Sequence, residues 1–140
     1  MNDRTIVYYF PTKDDLVAEV VMSMGVQLQE TLSGAFSKPA NDYVDLARAA
    51  WPVLARAETD RIFALFFEAN GLAAAGRAPY DALVPQIIEA WIDWVTGFLT
   101  GTAEQRRAEA AIAVIDGLLL LRQLAVPVAA NRAARRIGIR

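Results

Sequence analysis

Apolar residues recur at intervals of three and four along almost the whole chain, and the alternation expected of a half-buried strand is nearly absent. Residues 2–9 read as a short helix, ended by Phe10 and Pro11 because the residue before a proline is pushed out of the α region. Thr12 is placed to cap a second helix, with Asp15 at the capping-box position and Asp14 in the positive first turn. That helix is predicted to reach about Gly34, with Leu16, Val20, Met24 and Leu28 along one side, and residues 37–41 read as a loop. Asn41 is expected to cap residues 42–57, where Pro52 should kink the helix and leave the Arg48 carbonyl unpaired. Thr59 opens a helix over 60–75, stopped by Gly76. Pro79 suits the first turn of a helix over 80–99, and Pro85 bends that helix or marks its true start. Thr102 and Gln105 form a second capping box ahead of residues 103–125, and Pro127 begins a last helix over 128–138. There is no internal repeat, linker or low-complexity tract, so the pattern predicts an all-α, multi-helix bundle.

Composition narrows the chemistry. A chain of 140 residues suggests one domain, long enough to bury a core without staples. It contains no Cys and no His, which removes disulfides, thiolate and imidazole metal ligands, and the commonest general base. No paired carboxylates at defined spacing, Gly-rich phosphate loop or metal constellation is present, so neither an enzyme nor a bound cofactor is expected. At 55% hydrophobic and 21% charged residues, the chain is rich in apolar surface for a soluble monomer, and some of it should meet a partner. No apolar run is long enough to cross a bilayer, since residues 117–121 end at Arg122, and the amino terminus lacks a signal-peptide layout. The expectation is a cytoplasmic protein with no membrane partner. The net charge of −2 argues against strong nucleic-acid binding by the chain itself. Arg122, Arg132, Arg135, Arg136 and Arg140 follow the last acid, Asp116, and the simplest reading of this tail is a solvated face.

The stretch from Thr5 to Leu16, in "TIVYYFPTKDDLV", joins an aromatic helix end to a new helix start through a tight turn. Phe10 and Leu16 can staple the two helices together, and Thr12, the free amides behind it and Lys13 offer an anion site suited to a DNA phosphate. In order and type these residues resemble the junction that follows the recognition helix in the tetracycline-repressor (TetR) family of transcriptional regulators. "RIFALFFEANGLA" and "IDGLLLL" resemble segments of that family's carboxyl-terminal domain more weakly. The resemblance implies that Tyr8, Tyr9 and Lys13 occupy positions that touch the DNA backbone, Tyr9 standing where many members carry His. It also implies that residues 1–11 are the remnant of a helix-turn-helix reader and residues 12–140 a ligand-binding and dimerisation domain. A reader needs a supporting helix and a core helix ahead of it, so operator DNA is expected as a partner of a longer protein rather than of this chain alone. "MNDRTI" resembles the run into the recognition helix with Met1 in place of a Val; an internal start, a truncation or proteolysis would each produce this.

The middle of the chain is aromatic. Phe63, Phe66, Phe67 and Asn70 share one side of a helix, as do Trp91, Trp94, Val95 and Phe98, while Pro52 beside Trp51 opens a kink. Such a stripe is first of all core. In the TetR family the same helices enclose a pocket for an apolar or amphipathic effector, which makes Trp51, Phe63, Phe66, Phe67, Glu68, Asn70, Trp91 and Trp94 the candidate pocket residues. Glu68, Asn70, Asp93, Asp116 and Arg122 interrupt apolar faces, and a buried charge needs a partner or a pocket. Glu68 is the first candidate for the pocket; Arg122 is expected to pair with Asp116 or Glu68, or to lie with Asp93 at the surface or a dimer rim.

The last two helices are apolar on two sides, so one side should meet the chain's own core and the other a second copy. Ile112, Ile115, Gly117, Leu118, Leu121, Arg122, Ala130 and Ala133 are the expected interface of a two-fold, four-helix contact, the way the TetR family dimerises. The expectation is thus a homodimeric, ligand-responsive transcriptional regulator; the competing one is a stand-alone helical ligand-binding or dimerisation module with no DNA role.

Overall fold

A computed structural model describes residues 12–102 and 105–139, and within them the chain is all-α, a bundle of six helices. The expected helix over 2–9, the Phe10–Leu16 staple, and Tyr8 and Tyr9 lie outside the described residues. Helix α1 (Lys13–Ser33) starts at Thr12, whose backbone is extended and whose hydroxyl accepts from the Asp15 amide at 3.1 Å. The hydroxyl in turn donates to the Asp15 carboxylate at 2.8 Å, so the acid of the expected capping box is bound by the threonine side chain. The inward stripe of α1 is Val21, Leu28 and Leu32; Val20, expected among the inward residues, is exposed.

Helix α2 (Tyr43–Leu54) is capped by Asp42, one residue after the expected Asn41, because the Asp42 carboxylate reaches the Asp45 amide at 2.9 Å. Pro52 lies inside α2 on its exposed side, and the helix continues past it for two residues. Helix α3 (Ala57–Ala74) begins before Thr59. Instead of capping the helix, Thr59 is buried and its hydroxyl bonds the Leu54 and Arg56 carbonyls, which closes the α2–α3 corner. At the far end of α3 the Gly76 and Arg77 amides turn back onto the Ala73 and Leu72 carbonyls, a Schellman closure that needs the positive φ of 74° at Gly76.

Helix α4 (Tyr80–Thr96) follows Pro79 and includes Pro85 within its early turns. It ends three residues before the expected Leu99, where the chain turns and the Ala40 amide takes the Phe98 carbonyl at 2.8 Å. Helices α5 (Gln105–Leu124) and α6 (Pro127–Arg136) complete the bundle. The capping box expected of Thr102 and Gln105 depends on residues outside the described set.

The core gathers around α5, which packs against α2, α3, α4 and α6. Ala47 and Ala50 on α2 and Ala108 and Ala111 on α5 are essentially inaccessible, so the two backbones approach closely across methyl groups. The end of α6 is locked by a second Schellman closure. The Gly138 amide donates to the Arg135 carbonyl and the Ile139 amide to the Ala134 carbonyl, with Gly138 at φ 81°. This drives Ile139 into the core, and Arg48 of α2 clamps the same turn through two guanidinium bonds to the Gly138 carbonyl at 2.9 and 3.1 Å.

Candidate functional site

Five elements converge without filling the space between them. Leu28, Leu32 and Phe36 from α1 and the turn after it, Leu46, Ala50 and Leu54 from α2, and Phe63 and Phe66 from α3 form one side of a cavity. Ile88, Trp91 and Val95 from α4 and Ala111, Ile112, Ile115 and Asp116 from α5 form the other. About 60 Å³ is open to the centre of a water-sized body. At roughly 10–15 Å³ per water on that measure, this is room for about four to six waters or an organic group of similar bulk. Every lining side chain but one is apolar.

The exception is Asp116. The residue is half-buried, and the water that the surrounding side chains displace from its carboxylate raises its pKa from 3.8 to about 6. Among the described residues no cation and no side-chain donor bonds it. The expected partner, Arg122, is engaged elsewhere: its guanidinium grips Asp60 at the start of α3 with bonds of 2.7 and 2.9 Å, and the Gln123 amide bonds the Asp60 carbonyl at 2.8 Å. The Asp60 hydrogen bonds hold the Arg122 pKa above its ordinary value against the opposing effect of burial. Arg122 therefore ties α5 to α3, and Asp116 keeps the cavity to itself.

The expected pocket residues divide. Phe63, Phe66 and Trp91 line this cavity. Trp51 is buried on the opposite side of α2, beside a cleft formed with Arg48, Asn131 and Ile139. Trp94 packs at a tilt against Phe36 at a centroid distance of 5.8 Å and edge-to-face against Phe98 and Trp91 at 4.9 and 5.5 Å, so it supports the wall from behind. Phe67 packs between Phe63 and Phe66 rather than lining the space. Glu68 is exposed, along an open groove between α1 and α3. Asn70 lies outside the cavity, and its side-chain oxygen is buried with no partner among the described residues. Lys13 is exposed in the first turn of α1 and Asp93 is exposed on α4.

Residues expected at a dimer contact divide in a similar way. Leu118 and Ala130 are buried within the chain, and Ile112 and Ile115 face the cavity. Gly117 and Leu121 are exposed, Ala133 is half-buried, and Arg122 is committed to Asp60. The apolar surface left open on α5 and at the start of α6 is Gly117, Leu120, Leu121, Leu124 and Val128, with Leu124 77% exposed.

Among the described residues no three His, Cys, Asp or Glu side chains gather as a metal ion requires, and no helix is long and apolar enough to cross a membrane. No family model matches the chain, and neither a curated protein nor a solved structure matches it.

Proposed function

We propose that this chain is the effector-binding and dimerisation part of a homodimeric, cytoplasmic transcriptional regulator, of the kind its opening segment resembles. The observation that carries the reading is the cavity: an occupant would touch α1 through α5 at once. Helix α1 is the element that continues from the "TIVYYFPTK" segment, so a guest that moves Leu28 or Leu32 acts on the helix next to a DNA-reading head. Differential contact of this sort is what a ligand needs to shift a two-state equilibrium.

One feature supports the dimer. The exposed ridge from Gly117 to Val128 is largely apolar and, among the described residues, is not covered by the rest of the chain.

The test uses two proteins: this chain, and one extended by the in-frame residues encoded upstream of Met1. The extended protein is expected to retard DNA from its own promoter region and to change that binding with an effector in the cavity, while the 140-residue chain retards nothing. An upstream sequence with no helix-turn-helix would refute the regulator and favour a stand-alone binding module.

A further inference from the structure

We infer that the cavity selects a small organic amine, a compact apolar body carrying one protonated nitrogen, and that Asp116 is the group that receives the nitrogen. The inference rests on reading the cavity as the effector site and adds the chemistry of the effector.

The cavity wall is almost entirely hydrocarbon. Its apolar sides, Leu32, Leu54, Phe63, Ile88 and Ile115 among them, reward any apolar surface taken from water. They offer no hydrogen bond, so a guest with several polar groups would lose hydration without replacement. The Trp91 indole nitrogen lies toward Gly25 on the outer-groove side, so Asp116 is the acceptor that the wall offers a polar group. Asp116 is half-buried, bordered by hydrocarbon on its cavity side; its carboxylate has given up part of its hydration and, among the described residues, has gained no cation or donor in exchange. A guest ammonium supplies both, through a short, charge-assisted bond in a medium of low polarity. A guest carboxylate would place two like charges in one apolar space. The volume limits the body to about one small ring or a short alkyl chain. Trp91 sits on the wall and also borders an outer groove with Val21, Gly25 and Val26 of α1, so its indole reports what enters.

The test is titration of this 140-residue chain at neutral pH with three probes of nearly one shape: benzylamine, benzyl alcohol and benzoate. Tryptophan fluorescence and calorimetry read the binding. Benzylamine is expected to bind at least about tenfold more tightly than benzyl alcohol, the lower end of what a hydrogen bond to a charged group contributes, with benzoate weakest. Asp116→Asn keeps the shape and removes the charge, so it should cut the amine's lead to within about threefold and leave the alcohol's affinity nearly unchanged. A lead that survives in Asp116→Asn, an alcohol that binds as well as the amine, a preference for benzoate, or no binding of benzylamine overturns the inference. Equal binding of amine and alcohol would do so while leaving the cavity as an effector site. An Asp116-dependent amine preference with no effect on DNA binding by the extended protein would uphold the selectivity and overturn the sensing role.

Discussion

Replacing Asp116 by Asn should make the protein more stable at neutral pH and leave it almost unchanged in acid. The carboxyl's pKa rises from 3.8 to about 6 on folding, so the folded chain holds its proton more tightly than the unfolded chain. A raised carboxylate pKa means stability that is present at low pH and lost as pH climbs through the interval between the two values. The shift is about 2 units, and at 1.36 kcal/mol per unit the penalty reaches about 3 kcal/mol above pH 7 and about 0.5 kcal/mol at pH 4. Asn is nearly isosteric and neutral but still leaves an amide in an apolar site, so the expected gain at pH 7.5 is about 2–3 kcal/mol. Among the described residues, the side chains that line the cavity with Asp116 from α1, α2, α3 and α4 carry no charge, so the difference between the two proteins isolates the Asp116 carboxyl. Urea unfolding of the two proteins from pH 4 to pH 8 measures that difference directly. Curves that stay parallel across this range, or a variant less stable than the parent at pH 7.5, would refute the burial argument.

Four further outcomes follow from other sites. Gly138→Ala should cost about 1 kcal/mol, because alanine resists the φ of 81° that seats Ile139 and presents the Gly138 carbonyl to Arg48. Gly71→Ala, at an exposed helical position with open space around the new methyl, should instead stabilise by about 0.5–1 kcal/mol; thermal denaturation of the pair tests both signs. Asp60→Ala leaves the Arg122 guanidinium, on a side chain only 11% exposed, without its carboxylate. The expected cost is about 1–3 kcal/mol in urea, below that of a fully buried pair because Asp60 itself is partly in water. Leu120→Glu with Leu124→Glu should convert the proposed dimer to a monomer in sedimentation equilibrium at micromolar concentration and leave folding intact, since both side chains are exposed within the chain; a parent protein that is already monomeric there would refute the dimer.

Helix type and order were legible because three- and four-residue periodicity is a local property, as were the stops at Gly76 and near Gly138, where backbone conformation alone decides. Start positions slipped by one to three residues where two capping groups compete. Asp42 displaced Asn41 because its side chain reaches the right amide, and Thr59 went to the α2–α3 corner rather than a cap. The cavity was only partly legible. Aromatics mark the core, and whether one lines a void or packs behind it depends on the rotation of the helix, which is why Phe63 and Trp91 face the space while Trp51 and Trp94 do not. Asp116 carried the better signal than Glu68: it is the lone polar residue between Ala110 and Leu121, whereas Glu68 borders a stretch whose Ala64 and Leu65 are themselves exposed. The Asp60–Arg122 pair spans 62 positions, beyond the reach of any spacing rule.

Asp60 and Asp116 make opposite uses of the same side chain, and the contrast carries the functional argument. The bundle had an arginine within reach of α3 and directed it to Asp60, where both carboxylate oxygens and the backbone carbonyl are satisfied. Six positions earlier on α5 it left Asp116 among hydrocarbon, next to open volume, at a penalty of about 3 kcal/mol. That is a large fraction of the 5–15 kcal/mol typical of a whole domain, and Leu or Asn at the same position would avoid it. Unmatched charge beside unfilled space is the arrangement in which a guest restores what folding gave up, since an ammonium in the cavity would return the Asp116 pKa toward the carboxylate range and fill the void together. Stability withheld from the empty state then reappears as affinity for the occupied one. Because the space touches α1, this free energy is delivered to the helix that begins at the Thr12 cap and Lys13.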